Sequence, residues 1–205
     1  MSISLLDYGA GNLPSVERAL QRLSAKSERI STSAGVAKAS ALILPGVGHY
    51  GALIRALDRD GLRQSLIAAL ERGVPFLGIC LGLQALFQKS EEAPDLQGLQ
   101  ILPGSVRVIS GAVKLPHMGW DQVQSKGASR LLNGIDSGAY FYFAHSYAVP
   151  RIGEDLTPET RATCSYGCEF VAVTEKENIF AVQFHPEKSG DAGQSVLENF
   201  LRIAA

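Results

Sequence analysis

Apolar residues in the first half of the chain follow two alternating patterns. Short uninterrupted runs indicate strands buried on both faces, whereas apolar positions spaced by three and four residues indicate helices packed on one side. Strands are predicted at residues 3–6, 41–44 and 76–79. Helices are predicted from the N-cap Asn12 to about Leu23 and over residues 62–70 and 81–87. This order predicts a mostly parallel sheet with helices on both faces.

The second half contains more strands and fewer helices. Strands are predicted at residues 105–109, 139–144, 170–174 and 179–184. They suggest an antiparallel extension or a mixed sheet. A last helix is predicted from about Asp191 to Ile203, and the polar residues 150–161 are predicted to form a surface loop. We therefore expect a single α/β domain over residues 1–205, with a central, mostly parallel mixed sheet flanked by helices and a small antiparallel extension.

The composition argues against several classes of protein. Apolar residues make up 46% of the chain and charged residues 19%, which is typical of a folded globular protein. The net charge of −1 does not indicate binding to nucleic acid or to an anionic membrane. The uncharged residues 73–88 form a stretch shorter than the roughly 20 apolar residues of a membrane span. No basic segment precedes the first apolar run, so we expect no signal peptide and a cytoplasmic location.

The three cysteines argue against a disulfide framework because their number is odd. Cys164 and Cys168 have a CxxxC spacing, but no second Cys or His pair follows at the distance of a zinc site. We interpret these two residues as part of a strand and its turn. No metal or other cofactor is expected.

The segment Gly78-Ile-Cys80-Leu-Gly82 lies between a predicted strand and a predicted helix. A tight, strained turn at such a junction presents a nucleophile and needs small neighbours. The N–H groups at the helix start favour a thiolate, and the amide of Leu81 lies where an oxyanion would form. A small buried hydrophobic cysteine explains the GxCxG pattern equally well, but the flanking strand and helix favour the nucleophile.

A base and its orienting acceptor occur in Phe184-His185-Pro186-Glu187. Residues i and i+2 of an extended chain point to the same side, so Glu187 can hold the imidazole of His185 while the other ring nitrogen faces Cys80. Taken alone, His185 would be interpreted as a structural histidine. Its pairing with Glu187 at the end of an apolar strand makes it the best candidate base.

The other histidines and the glycine-rich turns are weaker candidates. We interpret His49, His117 and His145 as hydrogen-bonding to loop backbone. Residues 9–14 lack the third glycine of a dinucleotide fingerprint, and residues 45–48 lack the Lys-Ser/Thr of a P-loop, so neither turn predicts a nucleotide site. Residues 45–48 instead offer a backbone amide beside the tight turn at Cys80, where it can help to bind an oxyanion.

Six short motifs are spread along the chain between residue 7 and residue 189. They are Asp7-Tyr-Gly-Ala-Gly-Asn12, Leu44-Pro-Gly-Val-Gly48, Gly78-Ile-Cys-Leu-Gly-Leu-Gln84, Pro116-His-Met-Gly-Trp120, His145-Ser-Tyr147 and Gln183-Phe-His-Pro-Glu-Lys-Ser189. With these motifs the sequence resembles the class I (triad-type) glutamine amidotransferases, which have a flavodoxin-like fold. The first motif, the segment ending at Trp120 and Lys188-Ser189 resemble most closely the glutaminase subunits of imidazole glycerol phosphate synthase, an enzyme of histidine biosynthesis.

The resemblance implies hydrolysis of L-glutamine to glutamate and ammonia. Cys80 would form a γ-glutamyl thioester, His185 would shuttle protons, and the amides of Leu81 and Val47 would hold the oxyanion. The substrate-binding positions carried over by the resemblance are Gly46, Gly48, Gln84, Ser146 and Tyr147. The two glycines beside Val47 also permit a peptide flip that a loaded partner could control.

The resemblance also implies a partner, the (β/α)8-barrel cyclase subunit that consumes the ammonia in a heterodimer. One amidotransferase domain accounts for the whole chain, which likewise favours a separate ammonia acceptor. The interface positions carried over are Asn12, Met118, Trp120 and Lys188. Read from residue type alone, they are a helix cap, two core residues and a solvated lysine. Asp121 replaces the asparagine usual in relatives, which puts the contact at that position in doubt.

Two other functions remain open. The chain could be a glutaminase subunit or γ-glutamyl hydrolase of another pathway. It could also be a binding or regulatory module with an inactive triad, although the presence of nucleophile, base and orienting carboxylate argues against this.

Overall fold

The computed structural model describes residues 2–151 and 159–205. The helices are α1 (Leu13–Arg22), α2 (Ser33–Lys38), α3 (Tyr50–Arg59), α4 (Leu62–Glu71), α5 (Leu81–Gln84) and α6 (Gly190–Ala204), with a 3₁₀ turn at Pro186–Lys188. The strands are β1 (Ser2–Leu6), β2 (Lys26–Ile30), β3 (Leu42–Gly46), β4 (Phe76–Cys80), β5 (Lys89–Ser90), β6 (Ser105–Val108), β7 (His117–Ser125), β8 (Ala139–His145), β9 (Tyr147–Ala148), β10 (Thr160–Tyr166), β11 (Cys168–Lys176) and β12 (Ile179–Val182).

One large mixed sheet organises these elements. Its nine strands lie in the order β2-β1-β3-β4-β12-β11-β10-β7-β8. The strands from β2 to β12 in this order run parallel, and each later strand is antiparallel to its neighbour. Strands β5, β6 and β9 form a separate small sheet. The mixed α/β architecture and its antiparallel extension are confirmed, and the extension contributes four of the nine strands.

Helices cover both faces of the sheet. On one face α1 and α6 share a core, to which α1 contributes Val16 and Leu20 and α6 contributes Phe200. On the other face α2, α3, α4 and α5 pack together, with Leu53 and Leu66 among their buried residues. Burying each such leucine contributes on the order of 2 kcal/mol. The helical spacing of these apolar positions therefore decides which side of each helix meets the sheet.

The carboxyl ends of the parallel strands bring the candidate motifs together. Gly46, the last residue of β3, lies beside Cys80, the last residue of β4. Ile79 lies in the same way beside Val182, the last residue of β12. The loop after β3 with Val47 and Gly48, which we call the glycine loop, the turn at Cys80 (the elbow) and the segment with His185 therefore leave the sheet at one edge, where open α/β sheets commonly bind ligands.

Every predicted strand and helix has a counterpart in the structure, but some bounds differ and some elements were not predicted. Residues 45 and 46 extend β3, and α5 ends at Gln84 rather than at residue 87. Strands β2, β5, β7 and β9 and helices α2 and α3 were not predicted. Residues 152–158 of the predicted surface loop lie outside the described residues, and Thr160 and Arg161 already belong to β10. No helix within the described ranges is long and apolar enough to cross a membrane.

Candidate active site

Cys80 sits in a strained backbone conformation at the junction of β4 and α5. Its φ of 53° and ψ of −104° are unusual for a residue with a side chain. Such conformations cost on the order of 1–3 kcal/mol and persist only where the surroundings impose them. Here the buried strand before Cys80 and the helix directly after it impose the turn. The predicted strand–elbow–helix geometry is therefore present.

The glycines that flank Cys80 are required by close backbone contacts. A Cβ atom at Gly78 would lie 2.7 Å from the carbonyl oxygen of Gly82, and a Cβ at Gly82 would overlap the carbonyl oxygen of Leu44. Helix α5 therefore crosses directly over β4 and β3, and only glycine fits at the two crossing points.

His185 and Glu187 form a buried pair next to the elbow. His185 Nδ1 lies 2.9 Å from Glu187 Oε1, and the Glu187 side chain is shielded from solvent. The pairing was predicted from an extended chain, but Pro186 and Glu187 belong to a 3₁₀ turn, because the chain bends after His185 to start α6. Asn12 Nδ2 adds a longer contact of 3.4 Å to the same carboxylate oxygen. The carboxylate therefore fixes the orientation of the imidazole.

The charge state of His185 follows from its neighbours. Burial lowers its pKa, but the adjacent Cys80 sulfur and the Glu187 carboxylate together raise the pKa to about 10. At neutral pH the ring is therefore protonated and donates from one nitrogen to Glu187 and from the other toward Cys80. An imidazolium held between a sulfur and a carboxylate is equipped to transfer a proton during nucleophilic catalysis.

A cavity of about 300 Å³ opens in front of Cys80 and His185. Its other lining residues are Val47, Gly48, Leu81, Gln84, Glu92, Pro116, Ala144, His145, Ser146, Tyr147 and Lys188. Cys80 and His185 therefore face a small space of the size of an amino-acid substrate.

The family follows from two comparisons with known sequences. A family model described as "Glutamine amidotransferase class-I" matches residues 4–204. A protein of Moorella thermoacetica named "Imidazole glycerol phosphate synthase subunit HisH" is 46% identical over 97% of this chain and 93% of its own length. Proteins of the same name from Methanothermobacter thermautotrophicus and Deinococcus radiodurans are 44% and 43% identical, over 98% and 99% of this chain and 98% and 94% of their own. The chain belongs to the HisH family of class I glutamine amidotransferases.

Solved structures agree with this family at the level of the fold. A structure titled "Crystal structure of glutamine amidotransferase" has a TM-score of 0.76 at 20% identity, covering 98% of each chain. "Structure of PurLQS from Thermotoga maritima" has the same TM-score at 18% identity, covering 98% of this chain and 97% of that one. As a member of the HisH family, the chain is a glutamine amidotransferase and one subunit of a larger enzyme.

The two predicted oxyanion donors of this HisH-family chain differ in how firmly they are held. Leu81 is the first residue of α5, so its amide is not used by the helix and is fixed beside Cys80. Val47 lies in the loop after β3 and is 37% exposed. Gly48 has a φ of +96° and open space around its Cα, so the loop has conformational freedom on this side.

The predicted substrate positions line the cavity with one exception. Gly48, Gln84, Ser146 and Tyr147 lie on its wall, but Gly46 does not. A Cβ at Gly46 would lie 2.6 Å from the Cβ of Leu81, so this glycine is needed for packing against α5.

Three of the four predicted interface positions share one surface, which we call the Trp120 face. Met118 and Trp120 of β7 are 64% and 53% exposed. Their interpretation as core residues is therefore wrong, because the side chains of this strand that alternate outward face solvent. Lys188 Nζ lies 5.6 Å from the centre of the Tyr142 ring, which also packs edge-on against Trp120. Asn12 instead contacts the triad carboxylate and makes no side-chain cap of α1.

Asp121 points away from the Trp120 face. Its carboxylate lies 3.4 Å from His117 Nε2 and accepts from the amide of Gln122. His117 is stacked between Phe143 and Tyr166, with ring centroids 4.9 and 4.0 Å away. The prediction that His117 bonds to loop backbone is therefore wrong, because the ring is buried in an aromatic layer and its polar contact is a carboxylate. Burial lowers the pKa of His117, against the opposing effect of Asp121.

The other two histidines bond to backbone, as predicted. His49 caps α3 by accepting from the amide of Gly51 at 3.0 Å. His145 Nδ1 lies 2.8 Å from the carbonyl oxygen of Tyr147, and burial lowers its pKa to about 3. His145 is therefore neutral, and its Nδ1 carries the proton that it donates to this carbonyl.

Two residues of the site were not predicted. Gln183 is fully buried, and its Nε2 lies 3.5 Å from Cys80 Sγ. Glu92 lines the cavity and accepts from the backbone amide of Tyr50 at 2.6 Å. In the sequence, Gln183 lies two residues before the candidate base His185, and residues i and i+2 of an extended chain point to the same side. No motif near Glu92 indicated a role for that residue. Within the described residues, no group of three or more His, Cys, Asp or Glu side chains is arranged to hold a metal ion.

Proposed function

We propose that Cys80 of this chain, a single amidotransferase domain, hydrolyses the side-chain amide of L-glutamine and supplies ammonia to the cyclase subunit of imidazole glycerol phosphate synthase in the cytoplasm. The observation that carries the proposal is the constellation at the sheet edge. Cys80, in a strained turn, and His185 line one cavity, and His185 Nδ1 lies 2.9 Å from Glu187 Oε1.

In the first half of the reaction, the Cys80 sulfur attacks the amide carbon of glutamine. His185 gives its proton to the departing nitrogen, the carbon–nitrogen bond breaks, and ammonia leaves as a γ-glutamyl thioester forms. The raised pKa of His185, about 10, supports this step because the ring carries the required proton at neutral pH.

In the second half, His185 acts as a base. Now neutral, it takes a proton from water while the water oxygen attacks the thioester carbon, and the sulfur leaves as glutamate is released. The proton returns the His185–Cys80 pair to its starting state. Glu187 keeps the imidazole in the orientation that both halves need.

Negative charge builds on the former carbonyl oxygen in both halves. The amide of Leu81 is in position to stabilise it, because it begins a helix directly after the nucleophile. We assign the second donor to Val47, which borders the same cavity from the glycine loop. A peptide flip in this loop under the control of the partner stays a prediction.

Substrate specificity requires groups that recognise the two charges of an amino acid. We assign the α-ammonium group of glutamine to the carboxylate of Glu92, which Tyr50 fixes on the cavity wall. Gln84 and the segment Ser146–Tyr147 border the same space and would contact the rest of the substrate. Gly48 leaves room for the ligand to approach the backbone.

The Trp120 face is the proposed docking surface for the barrel cyclase. Exposed Trp and Met side chains beside a lysine are typical of the centre and rim of a protein interface. The face lies next to the cavity because Lys188 belongs to both. Asn12 would act indirectly, by donating a hydrogen bond to the Glu187 carboxylate.

The test uses the Cys80→Ala variant mixed with the barrel cyclase of a relative. It should lose glutamine-dependent product formation by at least about a thousandfold, while synthesis with added ammonium continues at the wild-type rate. Cys168→Ala, at the half-buried start of β11, is the control and should keep both activities.

Two results would contradict the proposal. Glutamine-dependent synthesis by Cys80→Ala would exclude this cysteine as the nucleophile. Stimulation of glutamine hydrolysis by a different synthase, with none by the barrel cyclase, would assign the chain to another pathway.

A further inference from the structure

Gln183 occupies a position between strand β12 and the candidate base. Its side chain is completely buried, and its Nε2 donates to Cys80 Sγ at 3.5 Å. Gln183 and His185 therefore both approach Cys80, from the segment that follows β12. A buried amide group needs hydrogen-bond partners, and this donor meets the reacting sulfur rather than a backbone carbonyl.

The orientation of the Gln183 amide is fixed by a chain of contacts that begins at a carbonyl. The oxygen of Tyr147 can only accept, so the group of Gln84 that lies 2.7 Å from it is the amide nitrogen. The second proton of that nitrogen is donated to Gln183 Oε1 at 3.2 Å. Since the Gln183 oxygen faces Gln84, its nitrogen must face Cys80.

The same chain of contacts orients Gln84. Both protons of its amide nitrogen are engaged, one by Tyr147 and one by Gln183, so its oxygen is turned away from them. Gln84 borders the cavity in front of Cys80, which places an acceptor on the substrate side. The Tyr147 carbonyl is itself held by the proton of His145.

We infer that Gln183 is a further catalytic residue of the glutaminase reaction, one that stabilises the Cys80 thiolate by an N–H···S hydrogen bond and also orients Gln84 toward the substrate. The inference rests on the proposed role of Cys80 as nucleophile. The Gln183 amide then has two separable roles, because its nitrogen donates to the Cys80 sulfur and its oxygen accepts from Gln84.

The hydrogen bond changes strength during the reaction. A thiolate is a strong acceptor, whereas the sulfur of a thioester is a weak one. The bond therefore weakens when the sulfur lone pair forms the bond to the substrate carbon, and it strengthens when water displaces the sulfur. Gln183 consequently stabilises the leaving thiolate in thioester hydrolysis, while His185 handles the proton.

Two variants separate the two tasks. Gln183→Met keeps the length of the side chain and removes both the donor and the acceptor. Gln183→Glu keeps an oxygen to accept from Gln84 but presents an oxygen instead of an N–H group to the sulfur. Asn199→Leu is the matched control, because Asn199 is a buried amide whose nitrogen bonds to the carbonyls of Leu131 and Asn133 at a distance from the site.

The measurement is the rate at which a haloacetamide alkylates Cys80 as a function of pH, followed on the Cys80 peptide by mass spectrometry. On the acid side of the profile, both Gln183 variants should react about tenfold more slowly than wild type, because loss of a hydrogen bond to a charged group disfavours the thiolate. The Asn199→Leu profile should match wild type. In glutamine turnover with the barrel cyclase, Gln183→Met should raise KM and lower kcat, while Gln183→Glu should lower kcat with KM close to wild type.

Alkylation profiles of both Gln183 variants that superimpose on wild type would overturn the inference. An equal shift in Asn199→Leu would also overturn it, because the effect would then come from lost stability. The alkylation assay needs no glutamine, so its result is independent of the Cys80→Ala test. If Cys80→Ala lost turnover while the Gln183 variants had wild-type profiles, the proposed function would stand and this inference would fail.

Discussion

The side chains of Cys80, His185 and Glu187, which come from two distant segments of the chain, together determine the charge state of the site. Cys80 and Glu187 both favour the protonated form of the His185 ring. Their combined effect exceeds that of burial, which acts in the opposite direction. The neutral His145 nearby adds no charge, because burial lowers its pKa to about 3. The protonated imidazole is therefore a property of the assembled site rather than of any one residue.

Removing the sulfur should change the titration of His185. Its pKa is raised from 6.5 to about 10 in the folded chain, so the stabilisation that the imidazolium gives to folding is fully present below pH 6.5 and is lost as the pH rises through about 10. In Cys80→Ala the effect of the sulfur is absent while burial remains, so the midpoint should fall well below that of wild type. Imidazole nitrogen NMR measures it, and equal midpoints in the two proteins would disprove the sulfur–imidazole pair.

The sequence contained enough information to predict the triad but not Gln183 and Glu92 beside it. Cys80 lies between two glycines at the end of an apolar strand, and His185 and Glu187 are two residues apart. All of these signals are local. Gln183 and Glu92 depend on partners 103 and 42 residues away, so their roles emerge only when the strands are assembled.

The strength of the hydrophobic pattern largely determined which helices and strands could be predicted from the sequence. The buried strand β4 and the helix α4 have clear apolar periods and were predicted to within about a residue. The edge strand β2, with the sequence Lys-Ser-Glu-Arg-Ile, is mostly exposed and carries no such pattern. Helix α3 is a different case, because Leu53, Ile54 and Leu57 do have helical spacing.

The close packing of α5 over β3 and β4 predicts the effect of a substitution at Gly82. Gly82→Ala places a methyl group on the carbonyl oxygen of Leu44, so the helix must shift. We expect a loss of about 2–3 kcal/mol in the free energy of unfolding and at least a hundredfold loss in glutamine turnover. Urea denaturation and a glutaminase assay measure the two effects.

Gly127→Ala is the control for the elbow variant. Its Cβ would meet nothing within 4 Å, so the free energy of unfolding should stay within about 0.5 kcal/mol of wild type. A Gly82→Ala protein as stable and active as this control would contradict the tight crossing.

At the scale of the whole molecule, parallel and antiparallel halves of the sheet supply different surfaces. The parallel half ends at the elbow and the glycine loop, and so provides the chemistry. The antiparallel half carries the Trp120 face on β7, with Tyr142 of β8 directly opposite Trp120. The order of the nine strands could not be read from the sequence, because it depends on pairings between distant strands. The position of the Trp120 face beside the cavity follows from that order.

Interception of the thioester tests the central claim most directly. The chain with its barrel partner is incubated with glutamine and hydroxylamine, and an acid-quenched sample is digested for mass spectrometry. We predict a γ-glutamyl group on the Cys80 peptide, and γ-glutamyl hydroxamate that forms with wild type but not with Cys80→Ala. A γ-glutamyl group on any other residue, or hydroxamate formed at the wild-type rate by Cys80→Ala, would contradict the proposed mechanism.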